Sequence, residues 1–321
     1  MVVATALALS ACGSDASEGS DADGDATVNE DISIAWVVGN TQDAFYQKAT
    51  EGAKAQAEEL GIELIDQGPD AFDPAKQIPV LDSLLAQKPD ALVVAPTDPE
   101  ALRAPLARWS DSDIPIVVFD AALTDDPGFD LVSQIGSDNY GGGEMAAEEM
   151  AELLGGSGQV AIIDLNTSNK ILNARAEGFA DALAESHPDI EVVDTQYTEL
   201  DFPRAQTIAQ TLVSKFPDLK GIFATFSFAT EYAAKGLSDL GKSDAVSLVG
   251  FEAGDKQIAG LEDGTIKAVV AQQPYEEGRA AVLAAYNELT GEEVEADVQL
   301  DNVLIDADNF ADMTEYYYAV K

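Results

Sequence analysis

Histidine and cysteine are nearly missing from this chain: His187 and Cys12 are the single examples in 321 residues. One cysteine cannot make an intrachain disulfide, and one histidine with one cysteine cannot assemble a His/Cys zinc set. His187 precedes Pro188 at the end of an apolar-periodic stretch, where a solvated turn residue is the plain reading. A Ser–His pair would have to use it from a loop, and no G-x-S-x-G turn is present. Glycine clusters occur without the dinucleotide spacing. Gly155-Gly156-Ser157-Gly158 comes before a strand instead of after one, and Gly141-Gly142-Gly143 suits close packing or a hinge. With no nucleophile, metal set or cofactor loop, we expect no catalytic residue, no metal and no cofactor. Basic residues are scarce too, 17 against 59 acids, for a net charge of −42. Such a field repels phosphate backbones and argues against nucleic acid as a partner. A surface suited to high salt, or simple solubility, explains the acidity without an acid-specific function. Long apolar runs are missing as well, none reaching the roughly 18 residues of a membrane span.

The N-terminus carries a different signal. Residues 1–11 are small and apolar and end Leu9-Ser10-Ala11-Cys12, which resembles a bacterial lipoprotein processing site. Residues 12–31, rich in Ser, Gly, Asp and Ala, read as a solvated tether. A signal peptide opens on Lys or Arg, and nothing basic precedes Lys48. Residues 1–11 are therefore read as a signal peptide truncated at its start, and Cys12 as the lipidation site of an extracytoplasmic, membrane-anchored protein.

From residue 32 onward short apolar runs alternate with helical stripes. Strands are expected over 32–38, 62–66, 91–95, 114–119, 131–135, 159–165, 190–196, 221–224, 246–251 and 267–271, with a last one around 298–305. Phe45, Ala49, Ala53, Ala57 and Leu60 form one face of a helix stopped by Gly61. Asp73 caps a helix through residue 87, with Pro79 kinking it or delaying its start. Such alternation argues for parallel sheets covered on both faces. Ten or more strands suit two lobes better than one sheet, so the fold class is α/β with two doubly wound parallel-sheet lobes.

Several runs stop at polar or aromatic residues able to face a ligand, since open α/β sheets bind at the carboxyl ends of their strands. These are Asp43, Phe45, Tyr46, Asp120, Asp138, Arg175, Phe202, Glu252 and Gln272. Carboxylates and amides exchange hydrogen bonds with hydroxyls, and aromatic faces cover the C–H faces of a sugar ring. Each has a plainer role taken singly, since an Asp after a strand is usually a helix cap and a Phe opening a helix is usually core. Recurrence raises the odds.

Seven segments resemble the type I periplasmic, ribose-binding-like substrate-binding proteins of ABC importers: Asp43-Ala44-Phe45-Tyr46, Pro96-Thr97-Asp98, the Ile-Pro strand ending Val118-Phe119-Asp120, Ser137-Asp138-Asn139, Arg175-Ala176-Glu177-Gly178-Phe179, Val249-Gly250-Phe251-Glu252 and Ala271-Gln272-Gln273-Pro274. The resemblance implies a three-stranded hinge, with residues 32–137 and 273–302 as one lobe, 138–272 as the other, and 303–321 as the C-terminal crossing segment and tail. It further implies a monomer that captures a sugar-like solute with Asp43, Phe45, Tyr46, Asp120, Arg175, Phe202, Phe226, Glu252 and Gln272, closes around it, and delivers it to the transmembrane subunits of an ABC permease.

Departures from the family bear on the ligand. Ala121 stands where sugar binders usually have Arg, and Phe226-Ser227 where they often have Asn-Asp. A pentose bound in the usual manner is not expected. Another sugar, a polyol or a less polar solute fits better, and Arg175 would also suit a carboxylate. Three other readings compete: the effector domain of LacI-like repressors, disfavoured by the acidity and the missing DNA-binding helices; a ligand-presenting partner of a sensor; and an anchored enzyme using Asp120 and Glu252.

Overall fold

The first apolar run, Ser33-Ile34-Ala35-Trp36-Val37, is buried from its second residue onward, as a strand covered on both faces must be. The computed structural model describes residues 32–121 and 127–318. The expected signal peptide, Cys12 and tether lie outside the described residues. The first half alternates as β1 (Ser33–Val37), α1 (Ala44–Leu60), β2 (Glu63–Gln67), α2 (Pro74–Leu85), β3 (Ala91–Val94), α3 (Pro99–Ser110), β4 (Ile116–Phe119) and β5 (Ser133–Ser137). The second continues with α4 (Asn139–Leu154), β6 (Gly158–Asp164), α5 (Lys170–Ser186), β7 (Ile190–Tyr197), α6 (Arg204–Lys215), β8 (Leu219–Ala224), α7 (Ser227–Asp239), β9 (Ser247–Phe251), α8 (Asp255–Asp263) and β10 (Ala268–Ala271). The chain then runs through α9 (Pro274–Thr290), β11 (Asp297–Leu300) and β12 (Val303–Asp306).

Two six-stranded sheets result, ordered β11-β5-β4-β3-β1-β2 and β12-β10-β9-β8-β6-β7. The first five strands of each half thus pair in the same order, and one C-terminal strand is added at the edge of each. All pairings are parallel except β12 with β10. Parallel strands need helical crossovers, which place α-helices on both faces and explain why β3, β4 and β10 are buried at every residue.

Helix ends follow local chemistry. Asp43 and Asp73 accept from the amides of Phe45 and Ala75 and start α1 and α2, and Gly61 and Gly264 close α1 and α8 in the left-handed conformation. α2 begins at Pro74 despite Pro79 in its interior. The Asp73 cap and a proline at the first position, where no N–H is needed, offset the single bond that Pro79 removes. The single last strand expected around residues 298–305 is two strands in two sheets, parted at Asp301-Asn302.

Three connections link the sheets: Ser137 to Asn139, Gln272 to Pro274, and Asp301-Asn302. They are stitched to one another. Asp138 N donates to Leu300 O at 2.9 Å, Asn302 Nδ2 to Asp138 O at 2.6 Å, and Gln273 Nε2 to Asp301 O at 2.8 Å. On the second lobe, α4 and α5 pack closely because they lack side chains where they meet. A Cβ at Gly143 would lie 2.1 Å from Arg175 O, and one at Gly178 would lie 2.1 Å from Tyr140 O. The close approach brings the backbone of Arg175 against α4 beside the first connection.

Candidate functional site

The carboxyl ends of β4 and β9 finish on residues that keep an unusual backbone. Asp120 has φ 48° and Glu252 φ 76°, the left-handed region that most residues avoid at a cost of about 1–3 kcal/mol. Each is anchored by its own amide, Asp120 N to Ile135 O at 3.0 Å and Glu252 N to Val270 O at 2.8 Å. The two carboxyl groups lie close enough for the charge of Glu252 to act on Asp120.

Arg175, on α5, is the cation they surround. It is 2 % exposed. Its Nε donates to Asn139 Oδ1 at 2.8 Å, and its Nη1 donates to Thr225 O at 2.9 Å and Glu252 Oε1 at 3.2 Å. The guanidinium carbon lies 3.8 Å from the centre of the Phe251 ring, a cation–π contact that fixes the plane of the group. Nη2 makes no hydrogen bond among the described residues. Glu252 is held in turn by Gln272 Nε2 at 2.7 Å on Oε1 and by the Tyr318 hydroxyl at 2.7 Å on Oε2.

Aromatic rings complete the walls. Phe45 meets Tyr46 edge-on at 5.3 Å and Tyr318 edge-on at 6.0 Å, and Tyr46 packs against Phe119 and Phe72. From the second lobe, Phe202 stacks on Phe228 at 4.7 Å and meets Phe226 at 5.8 Å. Phe226 follows Thr225, whose carbonyl holds Arg175, so the aromatic wall and the charged cluster are joined through two adjacent residues.

Asp43, Phe45, Tyr46, Asp120, Arg175, Glu252 and Gln272 are thus linked to one another across the two halves, whereas Phe202 and Phe226 pack with each other and with Phe228 on the second lobe. Asp43 also plays the plainer part, accepting from Phe45 N at 2.8 Å as the cap of α1. Asp138 does not join them. It caps α4, its Oδ1 accepting from Gly141 N at 2.8 Å, and only its neighbour Asn139 reaches Arg175. Three members were not singled out in the sequence. Asn139 lies in the connecting segment Ser137-Asp138-Asn139. Glu277 sits among the acids that open α9, and Tyr318 is one of three tyrosines in a row near the C-terminus.

Glu277 is completely buried. Its Oε1 accepts from Ser137 Oγ at 2.6 Å, and its Oε2 has no partner among the described residues. Burial pushes its carboxyl well above the usual range, and the charge of Asp120 adds to the effect. Burial likewise raises Asp43 and Glu252, the latter opposed by Arg175 and by the Tyr318 hydroxyl. Asp120 is pushed up to about 7, first by burial and then by the charge of Glu252, against the lowering contact from Tyr46. Burial raises Asp164 as well, and Asp120, Asp164, Glu252 and Glu277 all feel the one guanidinium, so these groups cannot all be ionised at neutral pH without strong repulsion. A protonated carboxyl donates a hydrogen bond and an ionised one accepts. The cluster therefore offers both kinds of partner to a hydroxyl. Among the described residues, no grouping of His, Cys, Asp and Glu could hold a metal ion, and no helix is long and apolar enough to cross a membrane.

The sign of the pH dependence follows from the raised Asp120. Folded protein keeps a proton that the unfolded chain gives up near the ordinary value of 3.8. The stabilisation is complete below that value and is lost as pH rises through about 7. Thermal unfolding of ligand-free protein should therefore show a midpoint contribution that declines across this window. Asp120→Asn should flatten part of the slope, and an unchanged slope in the variant would refute the assignment.

Comparison with known proteins gives the arrangement its relatives. A structure from Agrobacterium vitis, described as an ABC transporter solute-binding protein bound with alpha-D-tagatopyranose, is 33 % identical, covers 90 % of this chain and 100 % of its own, and has a TM-score of 0.82. The ribose import binding protein of Escherichia coli K12 is 29 % identical over 272 residues, 85 % of this chain and 90 % of the relative. The xylitol-binding protein of Mycolicibacterium smegmatis is 27 % identical over 297 residues, 92 % of this chain and 80 % of the relative. These relatives are named as binding proteins, in agreement with the expectation that the chain is not an enzyme. The family model described as "Periplasmic binding protein domain" matches residues 34–293, and the chain belongs to that family.

Proposed function

We propose that this chain is an extracytoplasmic solute-binding protein that captures a neutral, hydroxyl-rich small molecule, a sugar or polyol, between its lobes and delivers it to an ABC permease. One observation carries the reading: a buried arginine locked by protein partners and laid on the Phe251 ring, with Nη2 left unbonded among the described residues, stands among four carboxyl groups. The residues proposed to touch the solute are Asp43, Phe45, Tyr46, Asp120, Arg175, Phe202, Phe226, Glu252 and Gln272. Residues 32–137 with 273–302 would form one lobe and 138–272 the other. The named ligands of the relatives, ribose, xylitol and tagatose, support the class. The sequence alone left a carboxylate ligand open for Arg175. The excess of carboxyl groups around that single cation argues against it, since an added anion would compete with them for the one guanidinium.

A ligand touching both lobes binds the closed arrangement better than an open one, and that difference shifts the population toward closure. The closed form is what the permease would recognise. Cys12, in Leu9-Ser10-Ala11-Cys12, would carry the lipid that keeps the protein at the membrane, with residues 12–31 as tether.

Two experiments test the reading. In a thermal-shift screen of soluble protein beginning after Cys12, neutral sugars or polyols at 100 times their dissociation constant should stabilise by about 2.7 kcal/mol, a few degrees, while sugar acids should not. In calorimetric titration with a ligand so found, Arg175→Ala should weaken binding by about 10-fold or more, because it strands Glu252. A shift confined to sugar acids, or unchanged affinity of the variant, would sink the proposal. For the anchor, protein expressed in a bacterium with a basic-headed signal peptide placed ahead of Leu9-Ser10-Ala11-Cys12 should fractionate with membranes and carry a lipid mass on Cys12, and Cys12→Ala should release it. Equal release of both proteins would exclude lipidation.

A further inference from the structure

After β12 the chain turns back toward the site. Asp306 Oδ1 accepts from the amides of Asp308 and Asn309 at 2.8 and 2.9 Å, and Asn309 Oδ1 accepts from Asp306 N at 3.0 Å. A 3-10 turn at Thr314–Tyr316 follows. Tyr318 N then donates to Ala253 O at 3.1 Å, beside Glu252. The segment delivers one side chain into the interlobe space. Tyr318 is 2 % exposed. Its hydroxyl donates to Glu252 Oε2 at 2.7 Å, with Gln272 O at 3.2 Å, and its ring meets Phe45 from the other lobe edge-on at 6.0 Å.

The contact changes what Glu252 has left to offer. A carboxylate has about four acceptor positions. Arg175 and Gln272 take two on Oε1, and Tyr318 takes one on Oε2. About one remains for a ligand. Building on the sugar or polyol reading, we propose that Tyr318 is a specificity-determining residue of the cleft: it stands in for one ligand hydroxyl on Glu252 and closes the end of the cleft nearest Gln272. The preferred solute then presents a single hydroxyl, or a hydroxyl beside an apolar edge, to Glu252. A fully hydroxylated edge would need the oxygen that Tyr318 already holds.

The test compares the unaltered protein with Tyr318→Phe and Tyr318→Ala, each in the full chain after Cys12, by calorimetric titration with neutral sugars and polyols paired to differ by one hydroxyl. Tyr318→Phe keeps the ring and frees Oε2, so the affinity ratio within a pair should move about 10-fold toward the more hydroxylated member. Tyr318→Ala should also admit bulkier ligands that the unaltered protein rejects. Unfolding midpoints measured alongside separate this outcome from lost folding. Unchanged ratios in both variants, or a uniform loss across the panel with a lowered midpoint, would show a merely structural tyrosine and overturn the proposal while leaving the sugar reading intact. If the unaltered protein and both folded variants bind no sugar or polyol, the sugar reading falls and the role of Tyr318 falls with it.

Discussion

The ion pair between Arg175 and Glu252, 3.2 Å apart and nearly without solvent, constrains everything built around it. Taking two charges out of water costs several kcal/mol per ion, and the attraction repays this only when the remaining polar atoms are also bonded. Here, Arg175 Nη2 excepted, they are bonded by parts of the chain far apart in sequence: Asn139 at the first connection, the carbonyl of Thr225 after β8, Gln272 at the second connection and Tyr318 near the C-terminus. The pair thus holds the ends of several strands in register with the connections between the lobes. Breaking it would leave an uncompensated charge in a region already crowded with carboxyl groups.

The fold supplies that geometry twice over. Each half pairs its first five strands in the same order, and the order reverses beside β1 and β6, where ligand crevices form in open α/β sheets. Facing the two crevices toward each other brings Asp43, Tyr46 and Asp120 from one half near Arg175 and Glu252 from the other. β11 and β12 then extend one sheet each, so the chain passes between the lobes a third time within two residues. Ser137, Asn302 and Glu277 bind the connections into one polar hinge, and the unpartnered Oε2 of Glu277 suits a carboxyl group that keeps its proton.

Much of this was legible in the residues. Buried parallel strands have to be apolar throughout, and the runs ending at Phe119, Phe251 and Ala271 announced both the sheets and the positions just past their ends. Helix stops at Gly61 and Gly264 could be read from the conformation that glycine tolerates. The division at Asp301-Asn302 could not, because two polar residues between short apolar runs look the same inside one strand as between two. Glu277 was hidden among the acids of Glu276-Glu277, where only the approach of Ser137, 140 positions away, decides which is buried. Asp138 was legible as a cap and served as one. Nothing in Tyr316-Tyr317-Tyr318 marks the last ring as the one that returns to the cleft, since tertiary placement alone separates it from its neighbours. The grip of Thr225 on Arg175 is through a backbone carbonyl, which no side-chain pattern encodes.

The most direct measurement is the crystal structure of the protein with its bound solute. The account predicts a ligand oxygen about 2.7–3.2 Å from Arg175 Nη2, Arg175 still paired with Glu252, a second ligand oxygen on Asp120, and an aromatic face from each lobe against the ligand ring or chain. A solute held away from Arg175, or an Arg175 that has left Glu252 to reach it, would contradict the central claim that the protein fixes this buried cation before the ligand arrives.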